Sequence, residues 1–402
     1  MTVDDMVGRS AGEVEPRDRR AERYGARYLL WKESALPRVQ GCGRASMLPG
    51  GLVAVKAQGA GLERRAGYGG LTSCGSVWCC PVCAAKIAGE RQDEIASAVR
   101  EWQARGHTVA MVTLTNRHRR GQSLRSLWDG NTKAWHAVTS GGSWRREQGR
   151  YDVQGWCRVV EVTVGANGWH VHVHALLFLR GDCRVDPRGL GAQMFGRWAD
   201  ALDKAGLAAP LMHLGGLDVR VLGGDVSVLG AYFAKAVYRG SADDGEAARL
   251  AMEIARGDLK DARLGNRTPF RVLRDIELHG DADDLATWHE WERTSKGRRQ
   301  LTWSKGLRAD LLAGVVERTD EEVADADDVR GEPVLYVKAN AWRWAAWEGA
   351  ALLVVAESDD TGNNLRAVLR ARGWGWLEPS AVLDAAAAEV AQRGPGGRFL
   401  VA

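Results

Sequence analysis

Three histidines alternate with valines in the middle of the chain, at His170, His172 and His174. Alternation with a period of two is typical of a β-strand, so the pattern predicts three imidazoles on one face of one strand. Neighbouring imidazoles would lie about 6.6 Å apart along the strand, because each residue advances the chain by about 3.3 Å. At that spacing two imidazoles can converge on one ion. The pattern therefore predicts a site that handles phosphate, either through a divalent metal or directly.

This strand resembles two classes of enzyme. HUH nucleases have a histidine–hydrophobic–histidine strand in which two histidines and a third polar group hold a divalent ion. His172 and His174, with the apolar residues 175–177 after them, fit that pattern. Histidine-triad nucleotide hydrolases also have three alternating histidines, and there the middle residue, His172, would attack phosphorus. The strand alone is compatible with both classes.

A carboxylate precedes the histidines on a second predicted strand. Residues 155–164 read as a strand and residues 165–168 as a turn, so the pattern predicts a β-hairpin that includes the histidine strand. Glu161 stands among apolar residues of the first strand. It is a candidate third metal ligand, or a group that orients one of the histidines. The alternative is an acidic residue on an exposed strand face.

A predicted helix after Asp225 carries a lysine between two tyrosines, at Tyr232, Lys235 and Tyr238. A spacing of three places these side chains on one helix face. A lysine beside a tyrosine favours the phenolate and can contact a phosphate, so each tyrosine is a candidate nucleophile. The alternative is an amphipathic helix with two boundary tyrosines and a solvated lysine.

Cysteines form a second candidate site towards the amino terminus. Cys80 and Cys83 make a Cys-x-x-Cys turn, which lets two thiolates reach one tetrahedral zinc ion, and Cys42 and Cys74 could complete the site. Cys79 is a spare cysteine or a substitute for one of the four. The alternatives are a redox pair or inert thiols.

The composition limits the class of protein. The net charge is only +4, so the chain as a whole is not strongly basic. Basic residues are interleaved with tryptophan in residues 288–308, which suggests contact with nucleic acid, with Arg298, Arg299 and Lys305 as candidates beside Arg239. No apolar stretch approaches the ~20 residues of a membrane span, and the start is polar. We therefore expect a soluble cytoplasmic protein with reduced or metal-bound cysteines.

Taken together, these motifs resemble the rolling-circle plasmid replication initiators, or Rep proteins, in their actinobacterial branch. The likeness covers about residues 42 to 308, and the ordered set of motifs is far more specific than any one of them. The matching stretches are Cys-Gly-Ser-Val-Trp at 74–78, Cys-Pro-Val-Cys at 80–83, Val-Thr-Leu-Thr at 112–115, Gly-Trp-His-Val-His-Val-His at 168–174, Tyr-Phe-Ala-Lys at 232–235, Arg-Thr-Pro-Phe at 267–270, and residues 296–308.

The resemblance implies an HUH endonuclease that recognises the double-strand origin of a plasmid. A tyrosine would attack one phosphodiester, leaving a 5′-phosphotyrosine and a free 3′-OH that primes synthesis. The protein would later cut and rejoin the displaced strand. A divalent ion, Mg²⁺ or Mn²⁺, would bind the histidines and polarise the scissile phosphate. Double-stranded and single-stranded origin DNA are the implied partners, and a host helicase and polymerase are candidate partners.

The tyrosine motif departs from part of the family. Some members have a tyrosine directly after the lysine, where this chain has Ala236, and others have it three residues before, as Tyr232 is here. We therefore expect Tyr232 to be the nucleophile, with Tyr238 as the alternative or as a second nucleophile for termination.

The expected fold is α+β, with a central antiparallel sheet of about five strands, flanking helices and the histidine strand in the middle. The expected segments are a polar tail (1–40), a cysteine-rich zinc-type subdomain with a helix (41–105), the HUH catalytic domain (106–245), a helical basic and tryptophan-rich region (246–318), an acidic linker (319–333) and a small α+β accessory region (334–402). A third possibility is a zinc-dependent DNA-binding protein without catalysis, which would bind an origin and leave it intact.

Overall fold

The computed structural model describes residues 16–181, 186–222 and 266–385 of the chain. The predicted helix with Tyr232, Lys235, Tyr238 and Arg239 lies outside the described residues. The chain divides into two compact units. Unit 1 comprises Met1–Ser76, Cys80–Lys86 and Arg318–Ala402, and unit 2 comprises Val77–Cys79 and Ile87–Glu317. Among the described helices, none combines the length and the apolar character that a membrane span requires.

The described secondary structure is a mixture of strands and helices. The strands are β1 (Val53–Gln58), β2 (Arg65–Gly69), β3 (Thr108–Thr115), β4 (Val153–Gly165), β5 (Gly168–Leu179), β6 (Leu217–Leu222), β7 (Leu301–Trp303), β8 (Glu332–Val337) and β9 (Trp376–Leu377). The helices are α1 (Pro16–Glu33), α2 (Pro37–Gln40), α3 (Pro81–Ala104), α4 (Leu124–Val138), α5 (Gly141–Tyr151), α6 (Pro187–Lys204), α7 (Pro269–His279), α8 (Ala282–Ser295), α9 (Leu307–Leu311), α10 (Asp320–Asp325), α11 (Ala339–Ala345), α12 (Gly349–Glu357) and α13 (Asn363–Ala371).

Unit 2 is built on a five-stranded antiparallel sheet with the order β6-β3-β5-β4-β7. The histidine strand β5 is the middle strand, and β4 and β5 form the predicted hairpin, with Gly165 opposite Gly168. The prediction of a central antiparallel sheet of about five strands around the histidines is therefore confirmed for this unit.

The alternation in β5 decides which residues enter the core. The valines between the histidines are buried. Helix α4 contacts this strand, and Asn131 of α4 donates a hydrogen bond to the carbonyl of Val171. On the other face, the row that contains the histidines continues into Leu176 and Phe178. These two residues pack with α3 through residues such as Val99. The histidines thus occupy one end of a face whose other end is hydrophobic core.

Unit 1 contains a second antiparallel sheet, which the sequence did not predict. Its order is β2-β1-β8-β9, so a strand from the amino-terminal part of the chain pairs with one from the carboxyl-terminal part. Val55 of β1 lies opposite Leu335 of β8, and both side chains are fully buried. The core around them includes residues from α1, α11, α12 and α13. The structure thus unites parts of segments that the sequence analysis treated separately.

The acidic segment 319–333 is attached to this second sheet. It begins with α10, whose first turn has a capping box between Thr319 and Glu322. Lys56 Nζ donates to Asp327 Oδ2 at 2.8 Å, and the backbone N–H of Tyr68 donates to Asp328 Oδ2 at 2.9 Å. Carboxylates that look like a solvated run in the sequence therefore serve as acceptors for the sheet.

We predict that Leu335→Ala loosens β1 as well as β8, because the two strands share one core. Loss of a buried leucine costs about 2–5 kcal/mol, which corresponds to faster amide exchange by about 30-fold or more. Hydrogen-exchange mass spectrometry of peptides over residues 53–58 measures this effect. Leu62→Ala, at a side chain that is 90% exposed, is the matched control and should leave exchange unchanged. Faster exchange confined to residues 332–337 would contradict the shared sheet.

Candidate functional site

The imidazoles of β5 form a row on one face of the unit 2 sheet. The ring centroids of His170 and His172 are 3.8 Å apart, and those of His172 and His174 are 6.0 Å apart. All three side chains are on the face that the alternation predicted. The structure therefore brings together the histidines that the sequence analysis selected.

His174 is held on both sides by neighbouring strands. Its Nδ1 lies 3.0 Å from Thr113 Oγ1 of β3, and its Nε2 lies 3.0 Å from Glu161 Oε2 of β4. The register causes this, because Thr113 is directly opposite His174 and Glu161 is opposite the neighbouring His172. If Nε2 carries the proton and donates a hydrogen bond to Glu161, then Nδ1 accepts a hydrogen bond from the Thr113 hydroxyl. Glu161 thus contacts a histidine of the row, and its role as a ligand or as an orienting group stays a prediction.

His118 extends the row, and the sequence analysis gave it no role. It follows β3, and its ring stacks on His170 with a centroid distance of 4.4 Å and an angle of 27°. Its Nδ1 is buried and makes no hydrogen bond with any described residue. The signal that could have found it is its position just beyond the end of β3, the strand that pairs with the histidine strand.

Two imidazoles of this row, His170 and His118, have lowered pKa values and are neutral at neutral pH. Burial, with smaller contributions from His172 and His118, lowers the pKa of His170 to about 2. Burial also lowers the pKa of His118. A neutral imidazole has a free lone pair, which is the form that binds metal ions.

These donors suit a divalent ion in their chemistry. Neutral imidazoles beside the Glu161 carboxylate, with an unpaired Nδ1 on His118, fit an ion that accepts both nitrogen and oxygen ligands, such as Mn²⁺. In the described part of the chain, however, only the four cysteines place three or more such ligand atoms within 4.8 Å of one another. The histidine row therefore presents pairs of donors rather than a closed cluster.

The cysteine cluster in unit 1 is compact and buried. Cys42 follows α2, Cys74 follows β2, and Cys80 and Cys83 lie at the start of α3. The Sγ of Cys42 is 3.7 Å from that of Cys80 and 3.5 Å from that of Cys83, and Cys74 Sγ is 3.6 Å from Cys83 Sγ. Sulfurs around a tetrahedral zinc are about 3.8 Å apart, because each zinc–sulfur bond is about 2.3 Å. The four predicted ligands could hold a metal ion such as zinc.

Two further observations define this cluster. Hydrogen bonds from Cys42, Cys74 and Cys80 lower the pKa of Cys83, so the cluster stabilises a thiolate there. Cys79, the spare cysteine of the motif, lies in unit 2, and its Sγ is 3.4 Å from Ser295 Oγ. Cys79 is not among the four cysteines whose sulfurs cluster.

The candidate DNA-contacting residues differ in their surroundings. Arg298 donates to Asp129 Oδ1 at 2.6 Å and to the Thr294 carbonyl at 2.7 Å, so its guanidinium has partners within unit 2. Arg299 and Lys305 are exposed, and Arg239 lies outside the described residues. The tryptophans of this region that were considered for base stacking, at 288 and 291, are buried. They serve the core of unit 2.

Comparison with known proteins shows the family. A family model described as a replication protein matches residues 72–183, a stretch that contains the histidine row and three of the four clustered cysteines. Protein rep of Streptomyces lividans is 34% identical over 322 residues, which are 65% of this chain and 69% of that protein. The chain belongs to the Rep family of plasmid replication initiators.

A second relative of this Rep-family chain matches over a shorter length. A neomycin resistance protein of Streptomyces cyanogenus is 34% identical over 148 residues, which are 29% of this chain and 34% of that protein. No solved structure matches the chain.

We predict that His170 makes the protein sensitive to acid. The unfolded chain protonates this imidazole near pH 6.5 and the folded protein only near pH 2, so the free energy of unfolding falls as pH drops through this window. Between pH 7.0 and 5.5 the loss from this residue is about 1.3 kcal/mol. Urea unfolding without added divalent ions measures it. In His170→Gln the free energy of unfolding should fall less over this pH range, because the contribution of His170 is gone. His213→Gln, at an exposed histidine, should show the same decrease as wild type. Equal decreases in wild type and His170→Gln would be evidence against this.

Proposed function

We propose that this Rep-family protein is an HUH-type endonuclease that nicks one strand of a plasmid double-strand origin. The observation that carries the proposal is the row of imidazoles on the middle strand, with His174 positioned between Thr113 and Glu161. A divalent ion, Mg²⁺ or Mn²⁺, would be held by His172 and His174 with help from His170 or Glu161. When bound, it polarises the scissile phosphate as a Lewis acid.

The covalent step belongs to a tyrosine of the segment outside the described residues. The Tyr232 oxygen attacks phosphorus, so a Tyr O–P bond forms and the P–O3′ bond breaks. The phenol loses its proton, and the released 3′ oxygen gains one to become the 3′-OH primer. Lys235 favours the phenolate and can contact the phosphate. Tyr238 is the alternative nucleophile, or the second one that ends the cycle.

The residues around His174 would fix the orientation of its ring, and an ion bound by His174 would replace Thr113 or Glu161 at one ring nitrogen. Thr113 and Glu161 hold both ring nitrogens at 3.0 Å, which limits rotation of the ring. Such partners tune the basicity and the orientation of a metal-binding histidine, and their loss reduces metal affinity or activity by about 10–100-fold. His118 supports His170 by stacking, which keeps that imidazole in line with the row.

The remaining contacts with DNA belong to basic side chains. Arg299 and Lys305, which are exposed, and Arg239 would contact phosphates of origin DNA in its double-stranded and single-stranded forms. Arg298 would act indirectly, because its guanidinium is bound to Asp129. A host helicase and a polymerase would act on the nicked product, and the cytoplasm is the expected site of action.

The cysteine cluster would bind Zn²⁺ as a structural site. Its four sulfurs come from three separate stretches of unit 1, so one ion would tie these stretches together. The buried location and the four-sulfur donor set are typical of structural rather than catalytic zinc.

We predict that the nicking activity depends on one tyrosine. Labelled single-stranded DNA from the cognate plasmid origin is mixed with Mg²⁺ or Mn²⁺ and wild-type protein, Tyr232→Phe or Tyr238→Phe, and run on a denaturing protein gel. The wild type should give a labelled band at the size of the protein. The labelled band of Tyr232→Phe should be at least about 1,000-fold weaker, because phenylalanine has no nucleophilic oxygen.

The same gel separates the alternatives. Loss of the band only in Tyr238→Phe would transfer the role of nucleophile to that residue. If an origin that the protein binds gives no covalent band in any lane, tyrosine chemistry is wrong and a non-catalytic DNA-binding protein is favoured. Hydrolysis of a free nucleotide without metal, lost in His172→Ala, would instead indicate histidine-triad chemistry.

We predict about one zinc ion per chain, bound by the cluster. Elemental analysis of the purified protein should find it, and Cys42→Ser should remove most of it because a tetrathiolate site loses one ligand. Cys79→Ser is the matched control, since this neighbouring cysteine faces Ser295, and it should retain the zinc. Equal zinc content in the two variants would exclude the four-cysteine site.

A further inference from the structure

A buried cation without an acidic partner lies beside the cysteine cluster. Arg27 of α1 is 2% exposed, and no described carboxylate forms an ion pair with it. Its Nε and Nη2 are buried and make no hydrogen bond with any described residue. A buried guanidinium in this state is costly, because charges removed from water need a counter-charge and hydrogen-bond acceptors.

Aromatic rings enclose this guanidinium without neutralising it. Its central carbon is 4.2 Å from the ring centroid of Tyr24, 5.4 Å from that of Trp31 and 5.9 Å from that of Tyr28. Cation–π contacts of this kind hold a guanidinium in place but carry no net negative charge. The counter-charge for Arg27 must come from another direction.

The remaining side of the guanidinium faces the loop that carries Cys42. Gly43, the next residue, has a φ of +73°, and a Cβ at this position would lie 2.5 Å from Arg27 Nη1. Arg27, Cys42 and Cys83 line one small cavity. Lys86 also lines it, but Lys86 Nζ already lies 3.0 Å from Asp328 Oδ1. Asp328, the carboxylate that lines this cavity, thus pairs with Lys86, and no described carboxylate forms an ion pair with Arg27.

A metal-bound cysteine cluster would supply the negative charge that balances Arg27. Four thiolates around one divalent ion carry a net charge of −2, and burying that charge is unfavourable without a cation nearby. We propose that Arg27 is the charge-compensating residue of the tetrathiolate metal centre, so that metal binding and burial of Arg27 stabilise each other. The inference rests on the proposed zinc site.

Two tryptophans keep the metal loop in reach of Arg27. Trp31 Nε1 donates to the carbonyl of Cys42 at 2.8 Å, and Trp342 Nε1 donates to the carbonyl of Gly43 at 3.1 Å. Both acceptors are backbone atoms of the loop that supplies the first ligand. The loop is thus anchored independently of the metal, and the charge of Arg27 is presented to the sulfurs at a fixed position.

The test compares zinc affinity in full-length variants by competition with a chromophoric chelator. Arg27→Met should bind zinc about 10–100-fold more weakly than wild type, and Arg27→Lys should lie between them because it retains the charge without the planar guanidinium. The control is Arg20→Met on the same helix. Arg20 pairs with the buried Glu357 at 2.8 Å, so its loss should lower thermal stability but leave zinc affinity unchanged.

Thermal unfolding separates compensation from a purely structural role. Relative to wild type, Arg27→Met should lose more stability with zinc than in EDTA, because four zinc-bound thiolates present more negative charge to Arg27 than the metal-free cluster does. Wild-type affinity in Arg27→Met, or an equal loss of stability with and without zinc, would overturn the proposal, and so would a failure of Arg27→Met to fold in both conditions. Absence of zinc from the wild type would instead refute the zinc site itself.

Discussion

The antiparallel register of β5 between β3 and β4 is the constraint on which the candidate catalytic site depends. It places Thr113 opposite His174 and Glu161 opposite His172, so two different strands reach the same imidazole. A slip by one residue would turn every histidine to the opposite face and bring valines in their place. The slip is prevented by the core, because Leu176 and Phe178 continue the histidine row and pack under α3. Hydrophobic packing at one end of the strand thus determines the chemistry at the other end.

Each unit combines a sheet with a different kind of polar centre. In unit 2 the polar groups stand on neighbouring strands of one sheet, at alternate positions of β5 and opposite them on β3 and β4, so strand pairing assembles them. In unit 1 the cysteines come from separate loops and a helix start, and the surrounding tryptophans and Arg27 come from other elements. The first centre needs a correct register, whereas the second needs most of the unit to be folded.

Local patterns in the sequence predicted much of the unit 2 sheet and of the two candidate sites. They did not predict the pairing of strands that are far apart in the chain. The alternation of His170, His172 and His174 predicted β5 and its hairpin, and the Cys-x-x-Cys turn led to the cluster of four. The pairing of β1 with β8 left no local signal. Helix α5 was not predicted, because it is short and mostly polar. Its few buried residues include Trp144. The tryptophans of the basic region could not be placed from the sequence, since local sequence does not show that Trp288 is buried, and the predicted DNA contact of the basic residues stays a prediction.

The pairing of β1 with β8 also has a consequence for how the chain is made. The two strands belong to stretches far apart in the chain, and a hydrogen bond between Gln58 and Arg330 joins residues 272 positions apart. At ~5–20 residues per second, a ribosome needs roughly 15 to 55 s to make the intervening chain. During that time β1 is an edge strand with unpaired backbone groups, which is the kind of surface that promotes aggregation. Pairing with β2 covers only one edge of β1, so the edge that later pairs with β8 stays open until the carboxyl-terminal part of the chain has been made.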